Sequence, residues 1–244
     1  MEIHILVLIA IVTMIASYIQ SVTGFGFGIV AMIFLPSLLA YTEANVLSSI
    51  LSAITSTLVV IAMYRKTNWK NLIFPLIGSS VANHLAITFV KSAKNEVLTL
   101  LLGIALFVLS IYFFFFSNKI KIKPSWYIGL IVGLISGVMS GLFSIGGPPV
   151  VIYYLQSEEN TDRYLATIST YFVLSGIISI SMKVVAGFVT MNVLLGLVLG
   201  LLGLLIGSFL GKRTRDKANP KMIKKAVYGV MAISGLVNIV TSLI

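Results

Sequence analysis

The chain has 244 residues, of which 58% are hydrophobic and 10% charged, with a formal net charge of +10. Soluble domains carry about a quarter charged residues, so a soluble fold of this length could not hide so much apolar surface. The absence of cysteine excludes disulfides, thiolate metal sites and a Cys nucleophile. No basic patch interleaved with aromatics marks a nucleic-acid surface.

Charge-free stretches such as Ile5 to Thr42 and Val97 to Asn118 each exceed the roughly 20 apolar residues that a spanning helix needs. In chain order, apolar segments are expected at 3–23, 28–41, 44–63, 70–90, 97–117, 125–145, 148–156, 164–182, 190–211 and 223–243. They are apolar throughout rather than alternating, which points to helices and not to barrel strands. Residues 1–22 lack a basic leader and a small-residue cleavage site, so they read as the first membrane segment. The fold class expected is an all-α integral membrane protein with about eight long transmembrane helices and two Gly/Pro-rich helix breaks. Its first partner is the lipid bilayer; no nucleic acid, metal or cofactor is expected, and an oligomer is compatible with the sequence.

The chain also repeats itself. Thr23-Gly24-Phe25-Gly26-Phe27-Gly28-Ile29-Val30 stands 120 residues before Phe143-Ser144-Ile145-Gly146-Gly147-Pro148-Pro149-Val150. Pro75, Gly78, Ala82 and Ala86 match Gly200, Gly203, Gly207 and Gly211 at an offset of 125, a small-residue stripe suited to close helix packing. Two repeats follow, 1–118 and 123–244, within a single membrane domain.

Charge decides their orientation. If each break only kinks a spanning helix, the 17 basic residues divide as seven against ten. If each break turns the chain back, one face holds fourteen: Arg65, Lys66, Lys70, Lys119, Lys121, Lys123, Arg163 and the seven of 212–225. The other face holds Lys91, Lys94 and Lys183, read as loop residues. The second division is the asymmetry of the positive-inside rule. It implies inverted repeats, cytoplasmic loops 64–70, 117–124 and 212–225, and both termini outside. Trp69 and Trp126 then sit as anchors at the basic interface.

The breaks carry the chemistry. Proline removes an amide donor, and glycine permits backbone angles closed to other residues. Interrupted helices survive in lipid only where protein or a water-filled cavity surrounds the freed backbone. Matched breaks in two halves point to a substrate site near the midplane. The expected binding residues are Gly24, Phe25, Gly26, Phe27, Gly28, Ser144, Gly146, Gly147, Pro148 and Pro149. Pro148 and Pro149 would start a helix whose N-terminus favours an anion, and Gly28 and Ile29 would open its counterpart. Gln20, Ser21, Thr23, Ser140 and Ser144 are candidate donors. Gln20, Thr23, Asn45, Asn83 and His84 are candidate polar or coupling residues, His84 as an intramembrane ionisable group. Glu43 reads as an interfacial loop charge, and Glu158, Glu159 and Asp162 as a solvated acidic loop.

The motif Gly24-Phe25-Gly26-Phe27-Gly28 with the apolar run to Pro36 resembles the sulfite exporter TauE/SafE family. So do Ser144-Ile-Gly-Gly-Pro-Pro-Val-Val-Ile-Tyr-Tyr-Leu155 and the stripe Gly200, Gly203, Gly207 and Gly211. The resemblance covers nearly the whole chain, with Phe27 inserted in the family's commoner glycine pair. It implies a plasma-membrane permease for a small anion such as sulfite or an organosulfonate, working by alternating access and without enzymatic activity. The absence of a Walker motif argues against ATP hydrolysis. The alternatives are an anion channel and a membrane assembly protein without transport. An intramembrane serine hydrolase built on Ser144 and His84 is disfavoured, because both histidines precede the serine and Ile145 follows it.

Overall fold

The computed structural model describes residues 2–115, 123–214 and 220–243, so Lys119, Lys121, Arg215 and Lys217 of the expected basic loops lie outside the described residues. Among the described residues ten α-helices follow in order: α1 (Ile3–Thr23), α2 (Phe27–Phe34), α3 (Tyr41–Met63), α4 (Trp69–Ser92), α5 (Asn95–Phe115), α6 (Trp126–Phe143), α7 (Gly147–Ser157), α8 (Thr161–Val185), α9 (Met191–Thr214) and α10 (Pro220–Leu243). Eight of them are long and apolar enough to cross a bilayer, and α2 and α7 are short. With no water in hydrocarbon, a helix is the way a single segment satisfies its own backbone. The chain is therefore a multi-pass membrane protein.

The expected apolar segment 28–41 is shorter and less regular than anticipated. The α-helix begins at Phe27, and a single 3-10 turn at Leu35–Ser37 follows it. Pro36 explains the change, since it lacks an N–H and crowds the preceding turn. A second difference concerns α8, which runs through Lys183 to Val185. Lys183 is thus not a loop residue but a fully buried helical one.

Glycine sets how closely helices pack. On α9, a Cβ at Gly203 or Gly207 would meet the carbonyl oxygens of Ala10 or Met14 on α1. On α6, a Cβ at Gly133 or Gly137 would meet those of Pro75 or Ser79 on α4. In both pairs residue numbers rise together, so α1 runs with α9 and α4 runs with α6. Gly103 lies against Asn238 and Gly235 against Phe107, so α5 and α10 run oppositely. These are small-residue contacts of the kind that replace hydrophobic driving force in lipid.

Polar contacts order the two ends of the bundle. Lys66, after α3, pairs with Asp162 at the start of α8. At the other end Glu43 accepts from Ala40 N at 3.2 Å, Thr190 Oγ1 at 2.6 Å and Asn192 Nδ2 at 3.2 Å. Glu43 is therefore a buried clasp between the starts of α3 and α9, not a solvated loop charge. Glu158 is likewise no free loop charge: its side chain is 1% exposed, and it is held by Arg163 at 3.3 Å, Asn68 at 3.3 Å and Asn71 at 2.8 Å. Glu159 and Asp162 do reach solvent, each with a basic partner. Arg65, Lys66, Arg163, Lys212 and Arg213 share one face, opposite to Glu43.

Candidate functional site

Two interruptions bring the site together. At the end of α1, Gly24 turns left-handed with φ 85° and donates its N–H to Gln20 O at 2.8 Å. Gly26 is left-handed as well, with φ 107°, and precedes α2. Both conformations are easy for glycine and costly for L residues. At the end of α6, Ser144 takes the same conformation with φ 56° and donates its N–H to Ser140 O at 2.9 Å. After Gly146, α7 starts at Gly147 with Pro148 in its first turn, one residue earlier than the prolines alone predict. The breaks cross each other. Gly28 passes so close to Ser144 that a Cβ would overlap the Ser144 carbonyl oxygen.

A cavity of about 60 Å³ opens between them. It suits a small ion or a few waters, since drug-sized ligands need about 300 Å³ or more. Of the expected residues, Gln20, Phe25, Gly26, Phe27, Gly28, Ser140, Ser144, Gly146, Gly147 and Pro148 line it. The starts of α2 and α7 both meet here, each with the positive end of its dipole. Their amide supply differs from expectation. Phe27, Gly28 and Ile29 offer the unpaired first-turn N–H groups of α2, whereas Pro148 and Pro149 offer none, leaving α7 only its glycine amides.

The rest of the lining is rich in hydroxyls that sequence reading missed: Ser49 and Ser52 on α3, Ser136 on α6, and Tyr171, Ser175 and Ser179 on α8. No carboxylate is among the lining residues. Tyr171 donates to Ser136 Oγ at 2.9 Å, and Ser136 donates to Gly146 O at 2.6 Å, tying α8 to the second break. Gln20 donates to Ser56 Oγ at 2.9 Å. Behind Ser49 and Ser144 lies Lys183, whose ammonium donates to their hydroxyl oxygens at 2.6 and 3.0 Å. A signal for these residues was present. Ser136, Ser140 and Ser144, and again Tyr171, Ser175, Ser179 and Lys183, recur every fourth residue, which puts each set on one helix face.

The other candidates sit around the cavity rather than on it. Asn45 is fully buried; it donates to Leu142 O at 2.7 Å and accepts from Ser144 Oγ at 2.9 Å, so it braces the end of α6. Thr23 donates to Ile19 O at 2.8 Å or Phe25 O at 2.7 Å, steadying the first break beside Gly24. Pro149 follows Pro148 in α7 without lining the space. Ser21 faces Gly211 between α1 and α9. Asn83 is buried, with Ser179 3.4 Å from its carbonyl oxygen. His84 is exposed on the outer side of α4, in a groove with Thr88, Lys91 and Met182, and is not brought to the breaks.

The sequence matches the family model described as sulfite exporter TauE/SafE over residues 9–237. That span covers both breaks, the whole of α2 to α9 and most of α1 and α10. None of the curated proteins matches the chain, and none of the solved structures does.

Proposed function

We infer that this chain, which belongs to the sulfite exporter TauE/SafE family of membrane transporters, carries a small oxyanion through the cavity between its two breaks. The family consists of transporters and not enzymes. The observation that carries the inference is the lining: two helix starts, a set of hydroxyls and no carboxylate, around a space sized for a small ion. A cation would find only hydroxyl and carbonyl oxygens there and an adverse dipole. Sulfite or a small sulfonate fits this chemistry and the family's printed description.

The substrate-binding residues proposed are Phe25 to Gly28, Ser144 and Gly146 to Pro148, with Gly24, Thr23, Gln20, Asn45 and Pro149 shaping the breaks. The halves 1–118 and 123–244 are proposed to be inverted repeats. Supporting this, α6 runs with α4 from the basic face, whereas α1 runs with α9 from the Glu43 face. The eleven residues of Phe27–Ser37 and the eleven of Gly147–Ser157 are each about 16 Å long, about half the hydrocarbon thickness, which supports breaks that lie inside the membrane. Positive-inside then makes the basic face cytoplasmic in a plasma membrane. Alternating access would move one bundle against the other around the shared site, the bundle of α1 and α9 against that of α4 and α6, each with one helix from each half.

The test is flux of sulfite and methanesulfonate into proteoliposomes. Saturable uptake by the wild type, lost in a folded Gly147→Leu variant, supports a carrier with its site at the breaks. Unitary currents instead of slow saturable flux would favour a channel. A wild type that moves neither anion overturns the substrate class.

A further inference from the structure

Lys183 is 0% exposed, on a helix that crosses the membrane. Its ammonium has three partners: Ser49 Oγ at 2.6 Å, Ser144 Oγ at 3.0 Å and Ser140 O at 3.4 Å. All three are neutral, and among the described residues no carboxylate pairs with it. Buried charges are ordinarily matched by an opposite charge, and an ionisable group inside a membrane marks a functional position by default.

Ser144 is a second, separate observation. Among the described residues it is the one non-glycine with positive φ. The chain uses glycine for the same left-handed turn at Gly24, 120 residues earlier. Glycine would form the turn at 144 with less strain, so what the serine adds is its hydroxyl. That hydroxyl meets Lys183, Ser49 at 2.7 Å and Asn45 Oδ1 at 2.9 Å.

Among the described residues the first break has no such cluster. Where Ser144 meets Asn45, Gly24 meets Leu165, which stands 120 residues after Asn45. Tyr164 is the other neighbour of Gly24. The two breaks are alike in backbone and unlike in charge.

We propose that Lys183, acting through the hydroxyls of Ser49 and Ser144, is the counter-charge that lets the cavity hold an anion, and that the second break alone supplies it. The proposal rests on the anion-carrier reading above. Ser49 and Ser144 line the cavity and Lys183 stands directly behind them. Each hydroxyl oxygen accepts from the ammonium, which polarises its own O–H as a donor. Those protons point to the Asn45 carbonyl oxygen or from one hydroxyl to the other. With an anion present, the Ser49 proton turns to it, and the ammonium charge is met one atom further on. Lys183 is therefore a positioning and specificity residue that does not itself line the cavity.

The test is thermal-shift titration of the purified full-length chain with sodium sulfite and sodium methanesulfonate. The variants are Lys183→Met, Lys183→Arg and Ser49→Ala, with flux KM and maximal rate measured alongside. Lys183→Met removes an unmatched buried charge, so without anion it should melt at or above the wild-type temperature. Its half-saturating anion concentration and KM should rise about ten- to hundredfold, the size of one charge interaction over several ångströms at an effective dielectric of about 20. Lys183→Arg should recover most of that loss, and Ser49→Ala should fall between. Lys183→Met binding sulfite like the wild type refutes the Lys183 proposal and leaves the carrier reading standing. An equal loss in Lys183→Arg also refutes it, because shape and not charge would then be responsible. If Lys183→Met does not fold, wild-type half-saturation in Ser49→Ala refutes the relay. A wild type that neither anion stabilises and that moves neither overturns the carrier reading and this proposal together.

Discussion

Gly28→Ala removes nothing and adds one methyl group, at the point where the two breaks cross. The added carbon would overlap the Ser144 carbonyl oxygen and lie 3.1 Å from its carbonyl carbon and 3.8 Å from Ile145 Cα. All three are backbone atoms, so no rotamer can swing away. The Ser144 turn is itself pinned by Asn45, Ser49 and Lys183. To restore ordinary contact near 3.5 Å, the two breaks must separate by more than about 1 Å. Overpacking of this kind costs about 1–3 kcal/mol. For a chain of this length each kcal/mol lowers the melting temperature by about 2–4 °C, so a fall of about 2–12 °C is expected. The same penalty on the binding-competent arrangement corresponds to a loss of about 5- to 150-fold in anion affinity. The assay is thermal unfolding of the purified protein with sulfite half-saturation measured on the same preparation. Gly229→Ala is the matched control, since nothing lies within 4 Å of a Cβ there. It sits inside α10, so alanine should be neutral or stabilising by about 0.5–1 kcal/mol. A Gly28→Ala protein with wild-type melting and wild-type affinity would refute the claim that the breaks touch.

Three further outcomes are expected. At Gly147 a Cβ would lie 3.5 Å from Phe172 Cζ and 3.8 Å from Phe25 Cδ2, which is ordinary contact. Gly147→Ala should therefore keep flux, while Gly147→Leu should fill the cavity and abolish flux in a protein that still elutes as a folded species. Asn45→Ala strips the Ser144 hydroxyl of an acceptor and the Leu142 carbonyl of a donor, and should destabilise by about 1–3 kcal/mol in thermal unfolding. A topology reporter fused after Ile244 should be active on the outer side; activity confined to the cytoplasm would rule out the inverted arrangement.

Much of this architecture was legible because membrane physics leaves few choices. Eight long apolar segments can only be helices, and Gly-rich or Pro-rich runs at Gly24–Gly28 and Gly146–Pro149 can only interrupt them. The small-residue stripe on α9 was readable as a packing surface, although its partner α1 was not, since spacing names a face but not its neighbour. Charged residues were where reading failed. Lys183, Glu43 and Glu158 were each assigned to loops, because hydropathy scores a charge without knowing what surrounds it. The structure supplies Ser49 and Ser144 for Lys183, Thr190 and Asn192 for Glu43, and Asn68, Asn71 and Arg163 for Glu158. Most of these partners are distant in sequence. What the sequence does carry is the four-residue spacing of Ser175, Ser179 and Lys183, which continues α8 past the point where hydropathy ends it.

The glycine contacts also constrain how such a carrier can move. Between α1 and α9, and between α4 and α6, carbonyl oxygens occupy the space a Cβ would need at Gly203, Gly207, Gly133 and Gly137. Interfaces this close resist sliding, since a shift of part of a turn would drive side chains into the facing backbone. Each pair therefore behaves as one rigid unit, and a break sits at the end of one helix in each. The Gly24–Gly26 and Ser144–Gly146 linkers join those units to the short helices α2 and α7. Since the joints touch at Gly28 and Ser144, neither short helix can swing without the other giving way. On the proposed anion reading, an anion drawing on the Ser49 hydroxyl would alter the bonds that hold Ser144 in its left-handed turn, so occupancy of the cavity would act directly on that point of contact.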